Sequence, residues 1–214
     1  MRIESGDLLL VIDVQNDFCP GGALAVPHAD EVVAPILRLA PLFPHIILTQ
    51  DWHPADHASF ATAHPGKNPF ASIRLPYGPQ TLWPPHCVQG TKGAEFHPRL
   101  LLPQAELILR KGFRKHVDSY SAFFENDHAT PTGLAAYLRE RNLGRLFLCG
   151  LAYDFCVGYS ALDARRLGFS ANVLHDACRA IDVNGSAAAM DAQLAAAGIA
   201  VIAAADLSGE SAPT

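Results

Sequence analysis

The chain has 214 residues, 50% of them hydrophobic, and a formal net charge of −5, so we predict one core and a single domain over 1–214. No run of basic residues is longer than two, which argues against a nucleic-acid partner. No apolar run reaches about 18 residues and no signal-peptide pattern opens the chain, so we expect a soluble, cytoplasmic protein without a membrane partner.

Short apolar runs of strand length recur from the N-terminal end onward. The first, at 8–14, is continuously apolar up to Asp13, as expected for a strand with helices on both faces. Similar runs lie at 46–49, 107–109, 146–149, 171–174 and 199–202.

Helix-compatible stretches lie between several of these runs, most clearly at 133–141, 154–167 and 185–197. The last two are followed by Gly168 and Gly198, which suit left-handed C-terminal caps. This alternation predicts a Rossmann-like, three-layer α/β/α fold with a mostly parallel, six-stranded sheet. In such sheets, sites lie beyond the carboxyl ends of the strands.

The alternation stops between Asp51 and Pro103, in a stretch rich in proline, histidine and glycine. Connections in compact domains usually have about 4 to 6 residues. We therefore predict a long functional insertion here, and we predict that residues 207–214 form a loose tail.

Five cysteines occur without any C-x-x-C pair, so neither a disulfide framework nor a thiolate zinc site is indicated. Cys156 follows an apolar run at the opening of the predicted helix 154–167, where backbone N–H groups favour a thiolate. A buried structural thiol is the alternative. That alternative suits Cys149 and Cys178 better.

Two charged residues, Asp13 and Lys111, stand at or just beyond the ends of apolar runs. A carboxylate in such a place must be paired or partly neutralised, so Asp13 is either a site residue or a cap of the following turn. Lys111 either supplies positive charge to a reacting centre or is a solvent-exposed lysine at the end of a strand.

A candidate metal site begins directly after the run 46–49. Side chains alternate along extended chain, so Asp51 and His53 project to one side, and a loop can add His86. Two histidines and one carboxylate form an open ligand set for zinc, iron or manganese. Surface histidines that cluster by chance are the alternative, since the chain has 10 of them.

Six stretches together resemble the nicotinamidase/pyrazinamidase branch of the isochorismatase-like cysteine hydrolases. They are 13–18 (DVQNDF), 49–54 (TQDWHP), 83–88 (WPPHCV), 111–112 (KG), 118–123 (DSYSAF) and 150–157 (GLAYDFCV). The resemblance runs in order from about residue 8 to residue 202.

The resemblance implies a role for each candidate residue. Cys156 is the implied nucleophile, Asp13 the general acid and base, and Lys111 the cation that completes the triad. Asp51, His53 and His86 are the implied ligands of one divalent ion, with His57 as an optional fourth.

An oxyanion hole is also implied, formed by the N–H groups of Ala152 and Cys156 after a cis peptide at Ala152–Tyr153. The implied substrate pocket is lined by Phe18, Leu24, Trp83, Tyr120 and Tyr153. Phe155 directly precedes Cys156 in the sequence, and no role is implied for it.

The implied activity is hydrolysis of nicotinamide and pyrazinamide to the acid and ammonia through a cysteine thioester, in NAD salvage. Another isochorismatase-like amidase, with or without a metal, is one alternative. A catalytically silent metal-binding module on the same fold is another. A nucleotide-binding module is disfavoured because no G-x-G-x-x-G follows the first strand. The sequence is compatible with a homo-oligomer.

Overall fold

The computed structural model describes residues 1–208. Its strands are β1 (Asp7–Ile12), β2 (His45–Asp51), β3 (Ser72–Leu75), β4 (Gly78–Thr81), β5 (Leu107–Lys111), β6 (Arg145–Leu151), β7 (Ser170–Arg179) and β8 (Ala200–Ile202). Six of them form one sheet in the order β5-β2-β1-β6-β7-β8, and every neighbouring pair is parallel. The prediction of a mostly parallel six-stranded sheet is confirmed.

The helices are α1 (Val33–Leu39), α2 (Leu134–Glu140), α3 (Gly158–Arg166) and α4 (Ser186–Ala196). From β1 to β2 the chain steps one way across the sheet, and from β6 through β8 it steps the other way. Right-handed connections therefore place α1 on the face opposite α3 and α4. The central strand β1 is buried along its whole length, which explains its continuous apolar run.

The predicted helix 154–167 is interrupted. Residues Tyr153–Val157 form a π-helical turn, and α3 begins only at Gly158. The N–H of Val157 donates to the carbonyl of Ala152, five residues back, at 3.1 Å. Hydrophobic periodicity does not reveal such a local change in hydrogen bonding.

The long insertion contains more regular structure than its composition indicated. Strands β3 and β4 pair as an antiparallel hairpin, apart from the main sheet. The short helix α1 was not among the predicted helices either. It spans only two turns, too few for a clear periodic pattern.

The prediction of a loose tail is wrong for its first residues. Ile3 N donates to the carbonyl of Ser208 at 2.9 Å, and Ser208 N donates to the carbonyl of Met1 at 3.0 Å. These backbone bonds tie Ser208 to the N-terminal segment. The rest of the predicted tail, 209–214, lies outside the described residues.

One continuous apolar core packs against the sheet. This core supports our proposal that the chain forms a single domain. Between residues 1 and 208, no helix is long and apolar enough to cross a bilayer.

A bidentate ion pair joins β1 and β6 at the end of the sheet where these two strands begin. Arg145, at the start of β6, donates from Nε to Asp7 Oδ1 at 2.7 Å and from Nη2 to Oδ2 at 2.5 Å. Asp7 is almost fully buried at the start of β1. Arg145 therefore neutralises a carboxylate that burial would otherwise make costly.

We expect Arg145→Ala to lower the free energy of unfolding by about 2 kcal/mol, because it leaves the buried Asp7 carboxylate with the Glu4 N–H as a donor but without a cation. Urea denaturation checks this through a lower midpoint at an unchanged m value. Arg38→Ala is the control, since Arg38 is exposed on α1 and its loss should cost at most about 0.5 kcal/mol. Equal midpoints for the two variants would show that the Arg145–Asp7 ion pair does not stabilise the fold.

Candidate active site

The carboxyl ends of four neighbouring strands bring the predicted site residues together. Asp13 follows β1, Asp51 ends β2, Lys111 ends β5 and Cys156 lies in the turn after β6. These strands are parallel neighbours, so their ends meet at one edge.

The Lys111 ammonium is the centre of this cluster. Nζ lies 2.8 Å from Asp13 Oδ2 and 2.5 Å from Asp51 Oδ1, and it donates to the Ser119 carbonyl at 2.9 Å. Its distance to Cys156 Sγ is 3.4 Å. An ammonium has three protons, and Lys111 donates to Asp51 Oδ1, to the Ser119 carbonyl and to Cys156 Sγ, while Asp13 Oδ2 is an ion-pair neighbour. The sulfur thus lies beside a positive charge.

The burial of these groups controls their protonation. Burial raises the pKa of the Cys156 thiol well above its usual range, and Lys111 only partly offsets this. Burial also raises the pKa of Asp13 against the opposing effect of Lys111. Although burial disfavours the charge of Lys111, Asp13 and Asp51 keep its pKa well above the usual value. The resting thiol is therefore protonated, beside a carboxylate with increased proton affinity.

Thr49 fixes the orientation of Asp13. Its hydroxyl donates to Asp13 Oδ1 at 2.6 Å and accepts from the Asp13 N–H at 3.2 Å. Asp13 has a φ of 45°, a conformation that Asp adopts more readily than most residues. Oδ2 is left facing Lys111. Thr49 belongs to the quoted stretch 49–54, but the sequence analysis gave it no role.

Asp51, His53 and His86 form a buried donor set. Asp51 Oδ2 lies 3.5 Å from His53 Nε2 and 3.9 Å from His86 Nε2. Each imidazole donates its Nδ1 proton to a carbonyl, His53 to Gly112 at 2.9 Å and His86 to Pro84 at 2.8 Å. Both Nε2 lone pairs are thus directed at the same space. A ring whose Nδ1 proton is held by a carbonyl is typical of metal-binding histidines, and the donor set fits a divalent ion.

The pKa shifts of His86 and Asp51 agree with this fit, whereas that of His53 does not: although burial disfavours its charge, Asp51 raises the pKa of His53 above its usual value. Burial, followed by the neighbouring His53, lowers the pKa of His86 to about 4, which keeps its ring neutral. Although burial opposes its charge, Lys111 and His53 lower the pKa of Asp51. A neutral imidazole and an ionised carboxylate are the protonation states that a metal ligand needs.

Gln15 holds Asp51 by its backbone. Its amide donates to the Asp51 carbonyl at 2.8 Å and accepts from the Asp51 N–H at 2.8 Å. Gln15 is fully buried. The sequence analysis considered it only as part of a turn, although it lies two residues after Asp13 in the quoted stretch 13–18.

His57 does not join Asp51 and His86. Its Nδ1 bonds with the Ser59 hydroxyl at 2.7 Å, and its Nε2 donates to the carbonyl of Arg114 at 3.0 Å. Its ring packs on that of His53, with the centroids 4.6 Å apart. With both nitrogens engaged, His57 supports the position of a proposed ligand.

A narrow cavity beside Cys156 contains most of the predicted pocket wall. Among its lining residues are Phe18, Leu24, Trp83, Tyr120 and Ala152, together with Asp118, Phe155 and Ile181. Its volume is only 20 Å³, close to the space that one buried water needs. A pyridine ring therefore enters only when part of the wall moves.

Two details differ from the sequence-based expectation. Tyr153 does not line this cavity, because its hydroxyl donates to Asp191 on α4. The cis peptide is Leu151–Ala152, one bond before the predicted one. Strand β6 ends at Leu151 and the π-helical turn begins at Tyr153, so the change of direction falls on Ala152.

The proposed oxyanion donors lie in this turn. The N–H groups of Phe155 and Val157 both donate to the Ala152 carbonyl at 3.1 Å. Neither of these bonds uses the N–H of Ala152 or of Cys156, and these two N–H groups stay the proposed donors.

Residues 7–206 match the family described as the Isochorismatase domain. The nicotinamidase of Acinetobacter baylyi is 55% identical over 186 residues, which are 87% of this chain and 87% of the relative. The nicotinamidase of Escherichia coli is 45% identical over 179 residues, which are 82% of this chain and 84% of that protein.

Solved structures show the same similarity. The Acinetobacter baumanii nicotinamidase pyrazinamidease superposes with a TM-score of 0.94 at 52% identity, covering 95% of this chain and 98% of that one. PnC1 from L. infantum in complex with nicotinate gives 0.86 at 37% identity, covering 98% and 99%. Pyrazinamidase of Pyrococcus horikoshii in complex with zinc gives 0.75 at 32% identity, covering 92% and 99%.

Gly112 allows the close approach of His53. A Cβ at Gly112 would lie 2.4 Å from His53 Cε1, so we expect Gly112→Ala to displace the ring and weaken zinc binding at least about tenfold. A chelator competition measures this affinity. Gly66→Ala is the matched control, because Gly66 also has a positive φ, 77°, but has no atom within 4 Å of the added carbon. If both variants bind zinc alike, His53 is not a ligand.

Proposed function

The chain belongs to the isochorismatase family, and we propose that it hydrolyses nicotinamide to nicotinate and ammonia with Cys156, Asp13 and Lys111 as its catalytic groups. Pyrazinamide is the second proposed substrate. The observation that carries the proposal is the buried Lys111 ammonium, which contacts Asp13 and lies 3.4 Å from Cys156 Sγ. The nicotinamidase relatives and the nicotinate-bound structure support the choice of substrate.

In the proposed acylation, Asp13 takes the proton of the Cys156 thiol as the sulfur attacks the amide carbon. The positive charge of Lys111 stabilises the developing thiolate. When the tetrahedral intermediate collapses, the carbon–nitrogen bond breaks and Asp13 gives its proton to the leaving nitrogen, which departs as ammonia. A nicotinoyl thioester remains on Cys156.

In the proposed deacylation, Asp13 takes a proton from water as the water oxygen attacks the thioester carbon. The carbon–sulfur bond breaks, nicotinate leaves and Asp13 returns the proton to the sulfur. The N–H groups of Ala152 and Cys156 are the proposed donors to the oxyanion in both halves. One such donor lowers the barrier by about 3 kcal/mol.

Asp51, His53 and His86 are the proposed ligands of one divalent ion, and their two nitrogens and one oxygen suit zinc, iron and manganese. Zinc is bound in the pyrazinamidase relative. When bound, the ion supplies a fixed positive charge that can hold the ring nitrogen of the substrate. The aromatic wall of Phe18, Trp83 and Tyr120 then orients the ring against Cys156.

The rival functions lack an observation in their favour. A metal-free amidase would not need two histidines whose Nε2 atoms point at one carboxylate oxygen. A silent metal-binding module would not need the buried Asp13–Lys111 pair beside a thiol. The proposed reaction returns nicotinamide to NAD synthesis as nicotinate.

We expect Cys156→Ala to lower ammonia release from nicotinamide by at least about 10⁴-fold, because the nucleophile is lost. A coupled ammonia assay measures the rate, and mass spectrometry after acid quench should find the nicotinoyl adduct only in protein that retains Cys156. Cys178→Ala is the control and should retain activity within about twofold. Normal turnover by Cys156→Ala would exclude the thioester mechanism.

We expect kcat/KM for benzamide to be at least about tenfold below that for nicotinamide, because benzamide lacks the ring nitrogen. The comparison is made with zinc-loaded protein, with chelated protein and after zinc is restored. Chelation should remove most of the preference between the two amides, and zinc should restore it. Equal kcat/KM values for both amides in loaded protein would exclude ring-nitrogen binding at the ion.

A further inference from the structure

A second cavity, of about 230 Å³, lies next to the narrow active cavity. Tyr120 lines both cavities. The walls of the second cavity come from the segment after Ser119, from α3 and from Pro79 on β4. The residues that matter for its chemistry are Tyr120, Phe124, Glu125, Tyr159 and Asp163. None of the proposed catalytic or metal-binding residues lines it.

Asp163 is an unpaired carboxylate in this cavity. It lies on α3 with an exposed fraction of 8%. Within residues 1–208, its side chain makes no hydrogen bond or ion pair. A cation bound in the cavity would supply the opposite charge that the described residues do not supply to Asp163.

Glu125 is the second carboxylate, with an exposed fraction of 1%. Its Oε2 has no hydrogen-bond partner among the described residues. Its Oε1 has one charged neighbour, Arg114 Nε at 3.2 Å, but the Arg114 side chain is 43% exposed and largely solvated. Arg114 thus neutralises Glu125 only in part, and no residue in the described part of the chain neutralises Asp163.

Aromatic rings complete the wall. Tyr120 and Tyr159 lie with ring centroids 5.5 Å apart, and Phe124 lines the same space. The face of an aromatic ring attracts a cation. Arg166 lies 5.8 Å from the Phe124 ring, so Phe124 already has one cationic neighbour, whereas no cation is found over Tyr120 or Tyr159 within residues 1–208.

We propose that this cavity binds a small organic cation with an alkylated ammonium group. Asp163 supplies the opposite charge at the wall, the buried Glu125 carboxylate adds negative charge behind it, and the rings of Tyr120 and Tyr159 supply a surface for the alkyl groups. A metal ion is a poorer match, since neither Asp163 nor Glu125 belongs to a group of three close donors among the described residues. This site does not use the proposed catalytic or metal-binding residues, although Tyr120 lines both cavities.

Choline and its neutral carbon isostere, 3,3-dimethyl-1-butanol, test the charge requirement. Both are titrated into the full-length protein and followed by calorimetry and by NMR of the ligand methyl groups. We expect choline to bind at least about tenfold more tightly than the alcohol, because only choline pairs with the carboxylates. Equal binding of both, or no binding of choline at millimolar concentration, would overturn the proposal and leave a water-filled cavity.

Three variants locate the binding. Asp163→Asn and Glu125→Gln keep the shapes of the side chains and should each weaken choline binding about tenfold or more. Glu140→Gln removes one exposed charge from α2 and should leave choline binding unchanged. Thermal unfolding shows whether each variant is folded, and Asp163→Asn should be at least as stable as the parent because its carboxylate has no partner. Equal losses in all three variants would show a nonspecific charge effect and reject the site.

Discussion

The structure depends on one buried ammonium that is held between two buried carboxylates. Lys111 and Asp13 have no exposed surface and Asp51 has 3%. Each of these charges alone would be strongly destabilising in such a place, and they are tolerated because the Lys111 ammonium lies between the two carboxylates and offsets their charge. The ends of β1, β2 and β5 must therefore meet with the register that the sheet provides. The same strand register thus determines both the sheet and the positions of the three charged side chains.

Asp51 connects the two halves of the candidate site. Its Oδ1 lies 2.5 Å from Lys111 Nζ, and its Oδ2 faces the Nε2 atoms of His53 and His86. A carboxylate with two oxygens can serve both neighbours at once. Gln15 fixes the backbone of Asp51 from the other side. Asp51 is therefore the side chain through which His53 and His86 are connected to Lys111.

The sequence predicted the sheet and the central residues because both leave local signals. Strand β1 appears as a continuous apolar run, and Asp13, Lys111 and Cys156 appear as polar residues at strand ends. Thr49 and Gln15 left no such signal. Their role arises from contacts with residues that are distant in the chain, such as Thr49 with Asp13. The orientation of Tyr153 depends on a partner in α4, and the position of the cis bond depends on where β6 ends.

The narrow cavity restricts how a substrate can enter. Tyr120 is held by hydrogen bonds, since its hydroxyl accepts from Gln80 Nε2 at 3.0 Å and from Trp83 Nε1 at 3.2 Å. Phe155 makes only edge-to-face contacts with Trp83 and Tyr120, with centroids 4.9 and 5.4 Å away. Such ring contacts contribute about 0.5 to 1.5 kcal/mol each, and a side chain can rotate away from them without leaving a buried donor unsatisfied. Of these three aromatic residues, Phe155 is therefore the one whose displacement costs least, and it lies directly beside the nucleophile.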